Sequence, residues 1–419
     1  MNFEEIKNLL KKGLIQIFSA NIINKVVQFI TVAFLTQIIS KKDYGAFTYA
    51  QNLISFALLF EGAGVTTGIL QYCSISKDDK EKVGILKYGI GIGVFVNILL
   101  SIGVFLYAIF GTLPIEGSRI PLMMLACVPI FSVVFNAIQV YLRSTFRNTE
   151  FSVLTSFNTI VYFIGTVGLS FIMGVKGLII GMYIAYIGSI CLGAWFIRKD
   201  IFNTKNIKVS DDFDKIKFLK YSIVTVLTNA MSQVLYLLDT QLIGIFTKDE
   251  AVLASYKVAT TIPFNLIFIP TSIMIFAYPY FAQNKNDKVW IKKRVSQLTK
   301  ILLVINTVIA VGGIVLSDFI LSIFGKEYLD AKACFIVLML GYIIAGTFRV
   351  PYGNILASLG LVKANLINAV FSGIANIILN IVLIIRYGSI GAAYSTLIVF
   401  VISSVIHFIF IKKAIKQIN

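Results

Sequence analysis

The chain has 419 residues, of which 58% are hydrophobic and 14% charged, with a formal net charge of +17 and a mean hydropathy of +0.86. That composition excludes a soluble globular core and assigns the chain to the bilayer. The positive balance needs no nucleic-acid partner, because a rim of Lys and Arg beside anionic lipid is ordinary on the cytoplasmic side of a membrane protein.

Residues 1–13 carry Glu4 and Glu5 and no small-residue cleavage site, so they read as a cytoplasmic interfacial segment ahead of an uncleaved anchor. Roughly twelve apolar spans follow, near 14–39, 45–73, 83–110, 121–142, 151–173, 177–197, 218–246, 251–282, 297–324, 333–359, 364–385 and 389–411. Each reaches the ~20 residues that a bilayer-crossing helix needs to satisfy its own backbone. One alternating set of loops carries only Lys41, Lys42, Arg119, Lys176, Lys248, Lys326, Lys332 and Arg386, and Lys25, Lys257 and Arg349 fall inside spans. The other 26 of the 37 basic residues lie on the termini and the opposite loops. Positive-inside bias therefore puts both termini in the cytoplasm. Cys73, Cys127, Cys191 and Cys334 are scattered, which suggests neither a disulfide framework nor a metal site.

The polar stretch 198–217 splits the chain into an N-terminal six-helix lobe, 14–197, and a C-terminal one, 218–411, with a cytoplasmic tail at 412–419. The halves repeat. At an offset of 214, Phe157 falls on Phe371, Gly174 on Gly388, Gly177 on Gly391 and Ser189 on Ser403; at 204, Thr36-Gln37 falls on Thr240-Gln241. Asn21, Asn24, Lys25 and Gln28 form a polar stripe on span 1 that the same offset lays on Thr225, Thr228, Asn229 and Ser232 of span 7. Six spans per half is an even number, so the repeats are parallel, the plan of many secondary transporters. The fold expected is an all-α membrane protein of twelve helices, two parallel six-helix lobes around a central cavity.

Charges within the bilayer cost at least ~2.5–3.5 kcal/mol each and ask for partners or a wet cavity. Lys25 and Glu61 lie at comparable predicted depth, as do Asp239 and Lys257, which suggests two ion pairs. The alternative is a cationic cavity for an anionic substrate, lined by Lys25 and Arg349 with Arg143 and Arg147. Asn136, Gln139, Arg143 and Arg147 share one face of span 4, although Arg143 and Arg147 also fit a cytoplasmic helix end. Span 8 holds Pro263, Pro270 and Pro279 and should be kinked, through packing or as a gate. His407 reads as a satisfied or interfacial imidazole. There is no G-x-x-x-x-G-K-[ST] loop and no H-E-x-x-H helix, and Asp212-Phe213-Asp214 lies in a polar linker where it reads as solvated loop.

The stretches Asp239 to Tyr256 (DTQLIGIFTKDEAVLASY), Glu61-Gly62-Ala63-Gly64 and Asn376 to Ala393 (NIILNIVLIIRYGSIGAA), set in this twelve-span frame, resemble polysaccharide flippases of the Wzx type. These belong to the multidrug/oligosaccharidyl-lipid/polysaccharide exporter superfamily. The resemblance implies a transporter, not an enzyme, with no cofactor. It implies translocation of an undecaprenyl-pyrophosphate-linked oligosaccharide across the inner membrane by alternating access, coupled to H+ or Na+ antiport. The product would feed a surface polysaccharide such as O-antigen, in the company of polymerase and chain-length proteins. Under that reading Lys25 and Arg349, with Arg143 and Arg147, face the phosphates. Asn21, Asn24, Gln28, Asn136, Gln139 and Asn229 face the sugar, and Glu61, Asp239 and Lys257 serve ion coupling or charge balance. The alternatives are an organic-cation exporter of the same superfamily, which would want uncompensated intramembrane acids, and an integral-membrane polymerase or ligase, which would want a larger outward loop.

Overall fold

The computed structural model describes residues 15–202 and 213–418, so the expected interfacial segment 1–13 and half of the linker 198–217 lie outside the described residues. By internal contacts the chain forms two compact units, one ending at Leu237 and the other beginning at Leu238.

The first unit opens with α1 (Ile15–Ile38). Ser40 starts α2 (Lys41–Leu58), its hydroxyl accepting the Asp43 N–H at 3.2 Å. The helix breaks at Glu61–Gly64, where Gly62, Ala63 and Gly64 all have positive φ, and α3 (Val65–Ile75) resumes the span. In α4 (Asp79–Phe110), Asn97 accepts the Gly62 N–H at 2.7 Å and donates to the Pro129 carbonyl. The broken backbone is thus satisfied from inside the protein, as hydrocarbon surroundings demand. α5 (Arg119–Leu125) and α6 (Val128–Ser144) belong to one apolar pair bent by 46°. α7 (Asn148–Phe202) has 55 residues, too long for one crossing, and reverses at Gly174. A Cβ on Gly177 would strike the Leu169 carbonyl, and one on Gly181 the Gly165 backbone, so the two arms run antiparallel in close contact. α8 (Lys215–Thr247) begins in this unit: Phe218 and Ser222 pack on Gly64 and Gly68, and Phe218 joins a core with Val65, Ile69, Leu86, Val133 and Leu142.

The second unit takes the remainder of α8 and continues with α9 (Glu250–Leu266), capped by Asp249, and α10 (Phe268–Gln283). The two helices meet at Ile267, between Pro263 and Pro270, within one apolar span, Glu250–Gln283. α11 (Lys288–Val315) is capped by Asp287 and followed by the short α12 (Ser317–Ser322). α13 (Lys332–Ile344) passes through a π-turn, Ala345–Arg349, into α14 (Val350–Ser358). α15 (Val362–Tyr387) and α16 (Ser389–Gln417) close the chain. Phe281, Ile291, Tyr352, Ile355, Leu356 and Ile411 pack into one core cluster of this unit.

The sequence repeat reappears as geometry. Gly388 has φ 61° and ψ −140°, close to the φ 56° and ψ −135° of Gly174. A Cβ on Gly391 would strike the Leu383 carbonyl, as one on Gly177 would strike Leu169. Asn158 donates to Ser189 at 3.0 Å in the first hairpin, and Asn368 to Ser403 at 2.8 Å in the second. Among the described residues eight helices are long and apolar enough to cross a membrane, or nine with the bent pair, and one of the eight is the doubled-back Asn148–Ile201. Two shorter apolar helices, Ile23–Ile38 and Leu237–Thr247, come from α1 and α8. The described fold is all-α, and large apolar side chains such as Phe95, Phe105, Val304 and Ile374 stay exposed on it, a surface suited to lipid.

Candidate functional site

In the first unit, the break in span 2 holds Glu61 against α6. Its Oε1 accepts from the Ser132 hydroxyl and its Oε2 from Asn136 Nδ2 at 2.9 Å, while Asn136 also reaches Ser132 Oγ at 3.2 Å. One turn further on, Gln139 Nε2 donates to Thr155 Oγ1 at 2.8 Å. Glu61 and Asn136 are therefore brought together. The pairing of Glu61 with Lys25 expected from depth is not formed, since neutral donors on α6 take both carboxylate oxygens. Ser132 was missed, yet it lies four residues before Asn136 on the same helical face, where spacing alone would have marked it.

α1 presents Lys25 and Gln28 on its exposed side, with Lys25 Nζ 3.5 Å from Gln28 Oε1, and buries Asn24. The side chains of Asn21 and Ser232 lie outside the described residues. Asn229 is exposed on α8, and Thr225 and Thr228 return their hydroxyls to the carbonyls of Tyr221 and Val224. Arg143 is exposed in the last turn of α6. Arg147 is not available in the way expected. It pairs with Glu150 at 3.1 Å and Asp200 at 2.9 Å and donates to the Phe196 carbonyl at 2.9 Å, which ties the two ends of α7 together.

In the second unit the densest polar cluster surrounds Asp239, only 3% exposed. Its Oδ2 accepts from Tyr256 at 2.8 Å and Thr396 at 2.6 Å, and its Oδ1 from Asn380 Nδ2 at 2.8 Å. The Asn376 amide also faces this carboxylate. Four helices, α8, α9, α15 and α16, thus meet at one acid. The expected pair with Lys257 is absent: Tyr256 is the α9 residue turned toward Asp239, and its neighbour is rotated about 100° around the helix. Among the described residues no hydrogen bond or ion pair holds the Lys257 ammonium, which is half-buried. The Oδ1 atoms of Asn376 and Asn380 are buried with no hydrogen-bond partner. A buried carboxylate held only by neutral donors, with no basic partner, is a group that can take up a proton or a small cation. Asn376 and Asn380 lie in the stretch that carried the family resemblance; Thr396, only three residues beyond it, was not singled out.

Elsewhere in this unit, the π-turn of span 10 is braced by Asn306, which donates to Thr347 at 3.2 Å and accepts from Tyr342 at 2.7 Å. At its end Arg349 lies half-buried with its guanidinium 4.9 Å from the Phe400 ring centroid. His407 is buried beside Gly353, and neither ring nitrogen has a hydrogen-bond partner among the described residues, so it is not the satisfied or interfacial imidazole expected.

Comparison with known proteins gives a family and a fold. The family model described as polysaccharide biosynthesis protein matches residues 10–285, and the model described as MatE matches residues 225–382. The chain is 25% identical over 407 residues to the probable low-salt glycan biosynthesis flippase Agl15 of Haloferax volcanii, covering 95% of this chain and 82% of that one. Among solved structures it resembles the lipid II flippase MurJ in an inward closed conformation, with a TM-score of 0.75 at 20% identity over 96% of this chain and 90% of that one. It also resembles an inward-facing multidrug resistance MATE family transporter of the MOP superfamily, with a TM-score of 0.73 at 12% identity over 94% and 95%.

Proposed function

The chain belongs to the polysaccharide biosynthesis protein family, and from that premise we propose that it is a flippase. Its substrate is a membrane-embedded lipid-linked glycan, of the undecaprenyl-pyrophosphate-linked oligosaccharide class, carried from the cytoplasmic to the outer leaflet of the cytoplasmic membrane for surface polysaccharide assembly such as O-antigen. It acts by alternating access, as a transporter and not an enzyme. The observation that carries this reading is the family match across residues 10–285, supported by a glycan flippase relative aligned over 95% of the chain.

Lys25 and Gln28, exposed on an apolar helix, fit the anionic end and sugars of such a load, because an ammonium at that depth needs water or an anion beside it. Arg349 is a second phosphate-facing candidate, and Asn229, Asn136 and Gln139 remain sugar-facing ones. Asp239 is the coupling site, with Asn376, Asn380 and Thr396 around it. Its coupling ion is a proton or a sodium ion, since a buried carboxylate with no basic partner can take up either. The MatE match over 225–382 raises a second reading, an organic-cation exporter. With the Lys257 pair gone, Asp239 does lack a basic neighbour, but it is too enclosed to receive an organic cation.

The test is transfer of a fluorescent undecaprenyl-pyrophosphate oligosaccharide between leaflets of sealed vesicles, with and without a sodium gradient. Gradient-dependent transfer that falls in Lys25→Ala and Asp239→Asn supports the reading. Absence of transfer, alongside efflux of organic cations blocked by Asp239→Asn, would move the assignment to the exporter.

A further inference from the structure

At one end of the second unit, α11 and α16 enclose a groove of about 1150 Å³, with Tyr352 of α14 in its wall. Lys288, Lys292, Lys293 and Lys300 line it from α11 and Lys412 and Lys416 from α16, and no Asp or Glu lines it. Lys288 and Lys292, like Lys412 and Lys416, are four apart on one helix face, a spacing at which like charges repel. The neighbouring Arg294, outside the groove, has its own partners in Gln297 at 2.9 Å and the Trp290 ring. Of the groove lysines, Lys288 donates to the Ile418 carbonyl at 2.8 Å and Lys412 lies 4.4 Å from the Phe408 ring centroid, and together they border an apolar lining that includes Val295, Phe408 and Ile411.

Positive-inside bias makes this the cytoplasmic end and accounts for a charged rim, but not for the depth of the groove. Lys300 lies twelve residues beyond Lys288, about 18 Å along α11. A soluble anion has no use for the apolar lining, whereas a lipid headgroup with the start of its tail uses both surfaces. Basic pockets between helices on the cytoplasmic side are suited to multiply charged lipid headgroups. Six ammonium groups with no acid in the lining exceed what a singly charged phospholipid matches.

We propose that this groove binds a lipid diphosphate from the cytoplasmic leaflet, as the docking site of the carrier-linked oligosaccharide before translocation; this rests on the flippase reading above. The groove belongs wholly to the second unit and contains neither Lys25 nor Arg349.

The experiment uses the full chain with Trp195→Phe, which leaves Trp290 on α11 as its one tryptophan, in phosphatidylcholine nanodiscs. Energy transfer from Trp290 to a dansyl-tagged polyprenyl diphosphate sugar is titrated, with the tagged monophosphate as a second arm and untagged cardiolipin and phosphatidylglycerol as competitors. Saturable transfer is expected, stronger for the diphosphate than for the monophosphate. It should weaken about a hundredfold when Lys292, Lys412 and Lys416 are all replaced by Gln, since each lysine near the surface contributes several-fold to anionic-lipid binding. The triple Arg replacement should retain binding, and Lys77→Gln/Lys217→Gln/Lys220→Gln should leave it unchanged. Unsaturable transfer, equal loss in the control triple, or tighter competition by cardiolipin than by the diphosphate would overturn the proposal, the last making the groove a phospholipid site. Vesicle transfer by the same proteins separates the two readings. If the wild type translocates and the groove triple does so with unaltered half-saturation, the docking site fails and the flippase stands. If the wild type binds at the groove but translocates no lipid-linked sugar, the flippase reading fails.

Discussion

Thr396→Val is nearly isosteric and removes one donor, the hydroxyl 2.6 Å from Asp239 Oδ2. Neutral interhelical hydrogen bonds in membrane proteins average about 0.6 kcal/mol and reach about 1.7. Bonds to charged groups run about 1.5–3 kcal/mol. Asp239 is buried and has other donors, Tyr256 and Asn380 among them, to share the load. The loss should therefore be about 1.5 kcal/mol, between the neutral mean and a fully orphaned charge. Denaturation of the purified chain in mixed micelles measures it, in the wild type and in an Asp239→Asn background. If the bond is to the carboxylate, the cost should shrink to below about 0.5 kcal/mol in the second background, because the two sites share one interaction. If sodium binds at Asp239, the stabilisation that added sodium gives the wild type should weaken in Thr396→Val by a comparable factor. Equal cost in both backgrounds, or no cost in either, would refute the assignment of Thr396 to Asp239.

Lys25→Gln should lower transfer of a lipid diphosphate about tenfold, the loss of one charge-assisted contact of ~1.5 kcal/mol, with an unchanged melting profile because the side chain is exposed; a shifted profile would mark it as structural. Arg147→Gln removes two ion pairs that are about one-third exposed and a carbonyl contact, so about 1 kcal/mol of stability should go, read by thermal aggregation in detergent, and less at high salt. Gly388→Ala meets nothing within 4 Å of the new Cβ, so dihedral strain alone should cost about 1–3 kcal/mol. Gly174→Ala should behave alike, and a neutral result at both would show that the hairpins tolerate another turn.

The membrane class, most span positions, the doubling of the chain and the family are legible in the amino-acid order alone. Each is written locally: apolar runs set the spans, and the matched Gly174 and Gly388 set two reversals whose backbone only glycine adopts easily. The polar stripe on α6 was legible for the same reason, since residues three and four apart share a helical face whatever lies opposite. Partners across helices were not legible. Depth placed Lys257 near Asp239, but the rotation of α9 turned Tyr256 to the acid, and packing of α15 and α16 brought Asn380 and Thr396 from over 140 residues away. Likewise the lysines of α11 and α16 read separately as ordinary cytoplasmic charge. Only their convergence on one apolar-lined groove makes them a site, because helical periodicity specifies which face a residue occupies and tertiary packing alone specifies what that face meets.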